Sequence, residues 1–233
     1  MKILALETSA DACSAALWVD GELVGRYEEQ PRRHVELILP MVRGLLAEAD
    51  LRMAALDGIA FGAGPGSFTG VRIAVSAAQG FALAAGLPLV PVSSLAALAA
   101  RALAGGARRV CVTQDARMGE VYAGAYEKEV EEKDAGEADG EGTGAGGLRT
   151  LAADRLTVPD GVQPEKGNWW LAGGGWDRYP EMAPAGAVDT GLRFPRAHEV
   201  AVLAAPRFAA GDTVTPRDAE PAYLRRTVAQ QAP

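Results

Sequence analysis

Histidine, cysteine and lysine are the scarce residues of this 233-residue chain. The only histidines, His34 and His198, are far apart, so no local histidine metal motif exists. A Ser-His-Asp triad would have to be built on one of those two. The only cysteines, Cys13 and Cys111, form no Cys-x-x-Cys pair. That argues against a disulfide framework or a structural zinc site and suits a reducing cytoplasm. No lysine stands between Lys2 and Lys128, which excludes a Walker A loop from the glycine-rich first half. Aromatics make up only 6% of the chain.

Charge is unbalanced only locally. The net charge is -7, but the run from 127 to 141 carries eight acids against two lysines. The rest is almost neutral and lacks the basic face of an autonomous nucleic-acid binder. Residues 127–150, acidic and glycine-rich, read as a solvated loop. No charge falls between 73 and 100, yet Gly80, Gly86, Pro88 and Pro91 interrupt that stretch, which argues against a membrane span. Glu7 and Asp11 come too early for a secretory signal.

What is present is a chain 48% hydrophobic and 23% charged, long enough for one large domain or two modest lobes. Ile3–Leu6 and Ser14–Val19 read as strands, and Asp20-Gly21 as a tight hairpin turn. Residues 34–50 have helical periodicity, with Val35, Ile38, Val42, Leu45 and Ala49 on one stripe and Pro40 as a kink. The stretch "LDGIAFGAGPG" reads as a strand running into a turn, and a helix over 70–85 follows, capped by Thr69 and ended by Gly86-Leu87-Pro88. Strands alternate with helices afterwards, ending in a helix over 198–211. The order is partly repeated, which predicts an α/β protein of two similar lobes, 1–105 and 106–233. The last helix is a candidate to return to the first lobe.

Two features carry a functional reading. Gly62, Gly64 and Gly66, with Thr8 and Ser9 of the first hairpin, form a candidate anion-binding turn, since glycine amides before a helix favour negative charge. The same glycines also serve simple turn geometry and close packing. Helices 34–50 and 70–85 are apolar over more than one face. Val35, Ile38, Val42 and Leu45 on the first, with Val71, Val75, Ala78 and Phe81 on the second, are candidates for a four-helix partner interface. The bland alternative is that the sheet hides them. His34 reads as an exposed residue near a helix cap, and Asp115, Arg117 and Glu120 as a salt-bridged turn.

The segments "LALETSADACSAAL", "AFGAGPGSFTGVRIAVSAAQGFA", "PLVPVSSL", "DARMGEVY" and "PAYLRR", in this order, resemble the TsaB (YeaZ) family. The resemblance implies a two-lobed actin/Hsp70-like (ASKHA, RNase H-like) α/β fold. It also implies a non-catalytic, cytoplasmic subunit of the machinery that threonylcarbamoylates adenosine 37 of tRNA. Such a subunit pairs with its catalytic paralogue TsaD, or with a second copy of itself, while the ATPase TsaE joins the assembly. Contact with tRNA would come only through the complex, and nothing would bind a membrane. No tightly held cofactor is implied, though a nucleotide at the subunit joint is compatible. Ser94, Ala96 and Leu98 stand where the paralogue carries its His, Glu and His, so no metal site and no catalytic residue is expected. Rival readings are an ATPase or kinase acting alone with Glu7 and Asp11 as magnesium-holding carboxylates, and a peptidase.

Overall fold

A computed structural model describes residues 1–129 and 147–225. The core of the acidic loop expected over 127–150 lies outside the described residues.

The chain opens with β1 (Lys2–Glu7), β2 (Cys13–Val19) and β3 (Glu22–Glu28), an antiparallel meander. Asp20 (φ 50°) and Gly21 (φ 102°) turn the second hairpin with two consecutive left-handed residues, matching the twist of the flanking strands. β1 is buried on both faces, and its alternation sorts its side chains between two layers. Leu4 and Leu6 enter one cluster, Ile3 and Ala5 another. After α1 (His34–Glu48), β4 (Gly58–Gly64) pairs parallel with β1. After α2 (Phe68–Ala85), β5 (Leu89–Ser93) pairs parallel with β4. The first sheet therefore runs β3-β2-β1-β4-β5.

β5 passes directly into α3 (Ser94–Ala104), whose N-cap Ser93 accepts a hydrogen bond from the Ala96 amide at 3.0 Å. A second sheet follows, built from β6 (Arg109–Arg117), β7 (Glu120–Lys128), β8 (Leu148–Thr157), β9 (Trp170–Ala172) and β10 (Val188–Asp189). Its order is β10-β9-β6-β7-β8, with β7 and β8 antiparallel and β9 and β10 parallel. Read from β8, this is the arrangement of the first sheet again. The two differ in what covers them. Behind the first sheet, α1 and α2 close a cluster that includes Ile38, Leu45, Phe61 and Val75. In the second, the matching connections hold a 3-10 turn at Pro159–Gly161, and the short α4 (Gly175–Arg178) with a 3-10 turn at Pro180–Met182. Helix α5 (Ala197–Ala209) packs on β1, β2, β4 and β5, filling the other face of the first sheet with Val200, Ala201 and Ala204.

Several local expectations need correction. The cap of α2 is Ser67, whose hydroxyl accepts from the Gly70 amide, rather than Thr69, which is exposed. Pro40 lies inside α1, which continues on both sides of it. His34 is not an exposed cap residue. It is 6% exposed, its Nδ1 has no partner among the described residues, and burial holds its ring below the ordinary histidine range. Strand β8 was not anticipated. Helix α2 is long and apolar enough to cross a bilayer by length and composition. Its stripe of Val71, Ala74, Val75, Ala78 and Ala82 is instead buried in the core behind β4.

Candidate partner-binding face and the cleft beside it

Six of the eight residues expected at a partner interface belong to the interior. Ile38, Val42 and Leu45 of α1, with Val71, Val75 and Ala78 of α2, are all 6% exposed or less. They pack with β-strand residues of the first sheet, each large aliphatic contributing about 1.5–3 kcal/mol. They hold the helices to the sheet and are not free to meet another protein. Phe81 is half-buried against the same cluster, and Val35 alone of the eight is fully outside, at 66% exposure.

The outward sides of these helices are nevertheless apolar. Val35 and Leu39 project from α1, and Leu83 from α2 at 65% exposure. α2 also presents Ser76, Gly80 and Ala84, all exposed, at four-residue spacing. Space beside Gly80 is open, so a second helix can approach the backbone there. The pattern was ambiguous in sequence because α2 is apolar around most of its circumference, which leaves periodicity unable to choose a face.

The candidate anion turn is built differently from expectation. Glu7, 1% exposed, turns its carboxylate under the β4–α2 junction. It accepts from the Ser9 amide at 2.6 Å and the Ser94 hydroxyl at 2.8 Å, and that hydroxyl in turn accepts from the Gly64 amide. A Cβ at Gly62 would lie 1.9 Å from the Glu7 carboxylate. Gly66 presses on the Ser9 carbonyl, the Thr8 hydroxyl donates to the Gly70 carbonyl, and Ser67 donates to Ser9. The glycines thus make room for the chain itself, and the seat beside Gly62 already holds an internal carboxylate. Burial raises the Glu7 pKa above its usual value, partly offset by these hydrogen bonds.

A cavity of about 220 Å³ lies above this network, lined by Asp11, Ser67, Ser94, Gln114, Asp115 and Arg117 among others. Arg117 pairs with Asp115 at 3.0 Å, and Glu120 with Arg225 at 2.6 Å, so the charged turn of β6–β7 is salt-bridged. Of the positions set against the paralogue's metal motif, Leu98 is fully buried in the α3 core and Ser94 is engaged by Glu7. Neither offers an imidazole, and Ala96 offers no carboxylate.

Two sheets of one repeated order, joined through α3 and flanked by helices, define an actin/Hsp70-like (ASKHA) protein, with a cleft between the two halves. Residues 28–141 match the family model described as TsaD, tRNA N6-adenosine threonylcarbamoyltransferase. The chain is 39% identical to the tRNA threonylcarbamoyladenosine biosynthesis protein TsaB of Escherichia coli, over 98% of this chain and 96% of that one. It is 35% identical to the protein of the same name from Haemophilus influenzae, over 98% and 95%. YeaZ from Pseudomonas aeruginosa superposes with a TM-score of 0.84 at 41% identity, covering 96% of this chain and 99% of that one. The chain belongs to the TsaB family.

Proposed function

We propose that this chain is the non-catalytic scaffold subunit of tRNA threonylcarbamoyladenosine synthesis, binding the catalytic paralogue TsaD through the outward faces of α1 and α2. The observation that carries the reading is the exposure of Val35, Leu39 and Leu83, with open space beside Gly80, on helices whose opposite sides are firmly seated. The names of the full-length relatives and the TsaD-type family match support the pathway and the partner. The side chains at Ser94, Ala96 and Leu98 support the absence of chemistry of its own.

In this reading the scaffold selects the competent arrangement of TsaD by binding it more tightly than others. TsaE joins the pair, tRNA meets the complex rather than this subunit alone, and the work is cytoplasmic. Without TsaD the same face would pair two copies. Residues 1–105 act as the docking lobe and 106–233 as the second, with α5 lent to the first.

Because Leu45 and Val75 are core residues, aspartate there would report on folding. The test uses Val35→Asp and Leu83→Asp, each on an exposed side chain. Each should leave the isolated chain within about 0.5 kcal/mol of its stability. Together they should weaken co-purification with TsaD by at least about thirtyfold. Full affinity in both variants would remove the docking face. The rival, an ATPase or kinase acting alone, needs accessible carboxylates to hold magnesium; of its two candidates Glu7 is sealed beneath the cleft, while Asp11 is exposed at the cavity. Turnover of ATP by the purified chain would favour that rival.

A further inference from the structure

Three of the exposed large apolar side chains come from distant parts of the chain and converge on one cavity. Phe68 opens α2, Met118 sits in the β6–β7 turn, and Tyr223 lies near the end of the described chain, at 64%, 52% and 56% exposure. They line a space of about 460 Å³ together with Arg72, Arg117 and Arg225. Convergence of this kind from separate elements is unusual for scattered surface residues.

The third wall is a strap. After α5 the chain pairs Val214 with Leu89 and is held to α2 by Gln79, which donates to the carbonyls of Pro216 and Ala219. The Ala222 amide donates to Ala63 on β4, and Arg225 then reaches the Ala116 carbonyl and Glu120 on the second sheet. Tyr223 is thereby brought beside Arg72, whose guanidinium lies 3.3 Å from the Phe68 ring centre and 5.1 Å from that of Tyr223.

Charge decides what this cavity suits. Arg117 and Arg225 have carboxylate partners in Asp115 and Glu120. Arg72 forms no ion pair among the described residues, and its one hydrogen bond is to the Phe68 carbonyl. Among the described residues, Asp11 is the only acid lining the cavity. A cationic, aromatic hollow thus stands on a chain of net charge -7. The Arg72 guanidinium already stacks on both rings, which leaves its edge, rather than a free ring pair, to receive a ligand. That edge fits a carboxylate.

We infer that the Phe68–Arg72–Met118–Tyr223 cavity receives an acidic polypeptide segment, with a large apolar side chain against Met118 and an adjacent carboxylate on the free edge of Arg72. Arginine beside exposed aromatics is the composition of protein-binding hot spots. The inference does not depend on which protein covers α1 and α2.

The test is NMR titration of the full chain, labelled on methionine methyls and arginine side chains. The probes are acetyl-Glu-Phe-Asp amide, acetyl-Lys-Phe-Lys amide and ATP with magnesium. The acidic peptide should shift the Met118 methyl and Arg72 Nε–H signals at millimolar concentration, with an effect that falls as salt rises. Arg72→Ala should weaken it about tenfold, while Tyr223→Ala removes the Met118 shift. Equal response to the lysine peptide, stronger binding of ATP at the same signals, or no shift at saturating solubility of the acidic peptide would each overturn the assignment. Both substitutions are at surface positions, and the spectrum of each variant reports its own folding.

Discussion

Glu7 shows how much one side chain can organise. Its carboxylate joins the end of β1 to the β4–α2 turn and the first residue of α3, through Ser9 and Ser94. A carboxyl whose folded pKa is raised binds its proton more tightly folded than unfolded, so stability falls as pH rises above its ordinary value of 4.5. Glu7→Gln keeps the shape and removes the titration. Urea unfolding across pH 4.5–7.5 should therefore give a flatter stability profile for Glu7→Gln than for the natural chain. Glu7→Ala should cost about 2–4 kcal/mol at any of these pH values, since it opens a void and strands two buried donors. A Glu7→Gln profile as steep as the natural one would mean that another group dominates the titration. At this scale the sequence was only partly legible. The segment "ETSADACS" marked Thr8 and Ser9 as polar turn residues, but nothing local reveals that Glu7, 55 positions before Gly62, fills that glycine's missing side chain. His34 was misread for the same reason, because its burial comes from contact with the distant β1–β2 turn rather than from its own helix.

Between residues and molecule, α1 and α2 each have one side seated in the core and another exposed, the side proposed for docking. Gly80 and Gly86 test that separation. Gly86 closes α2 with φ 69° and open space around it, so Gly86→Ala should cost about 1 kcal/mol through backbone conformation alone. Gly80 is helical and equally uncrowded, so Gly80→Leu should raise thermal stability slightly through better helix propensity. The same side chain should obstruct a helix crossing the docking face and abolish complex formation with TsaD. A Gly80→Leu chain that is stable and still binds fully would place the partner elsewhere. Helix existence was plain from periodicity, as was the glycine stop at Gly86. Which side of α2 met the sheet was not, because alanine and glycine populate both sides and burial is settled only by where β4 and α1 lie. β8 escaped notice because Leu148–Thr157 adjoins the acidic, glycine-rich stretch and carries Arg149, Asp154 and Arg155 on an edge.

At the scale of the whole molecule, the strap from Thr213 to Arg225 ties the two sheets together. It is held by Gln79 on one side and by Glu120 and the Ala116 carbonyl on the other. Arg225→Ala should release only the far end. Hydrogen exchange should then quicken in the β6–β7 turn, residues 115–120, and stay unchanged in β1 and β2. Uniform acceleration would show that the strap supports global stability instead. The two-part α/β plan could be read from alternating strand and helix patterns, and the repeated sheet order only from pairing. The unequal covering of the two sheets bears on how copies could assemble. Actin-like chains that offer different surfaces front and back can add subunits without end. Among the described residues, the apolar helical pair stands on one half alone. Two copies meeting through the proposed face would each use the same patch, and a contact of that symmetry closes at two members instead of growing into a filament.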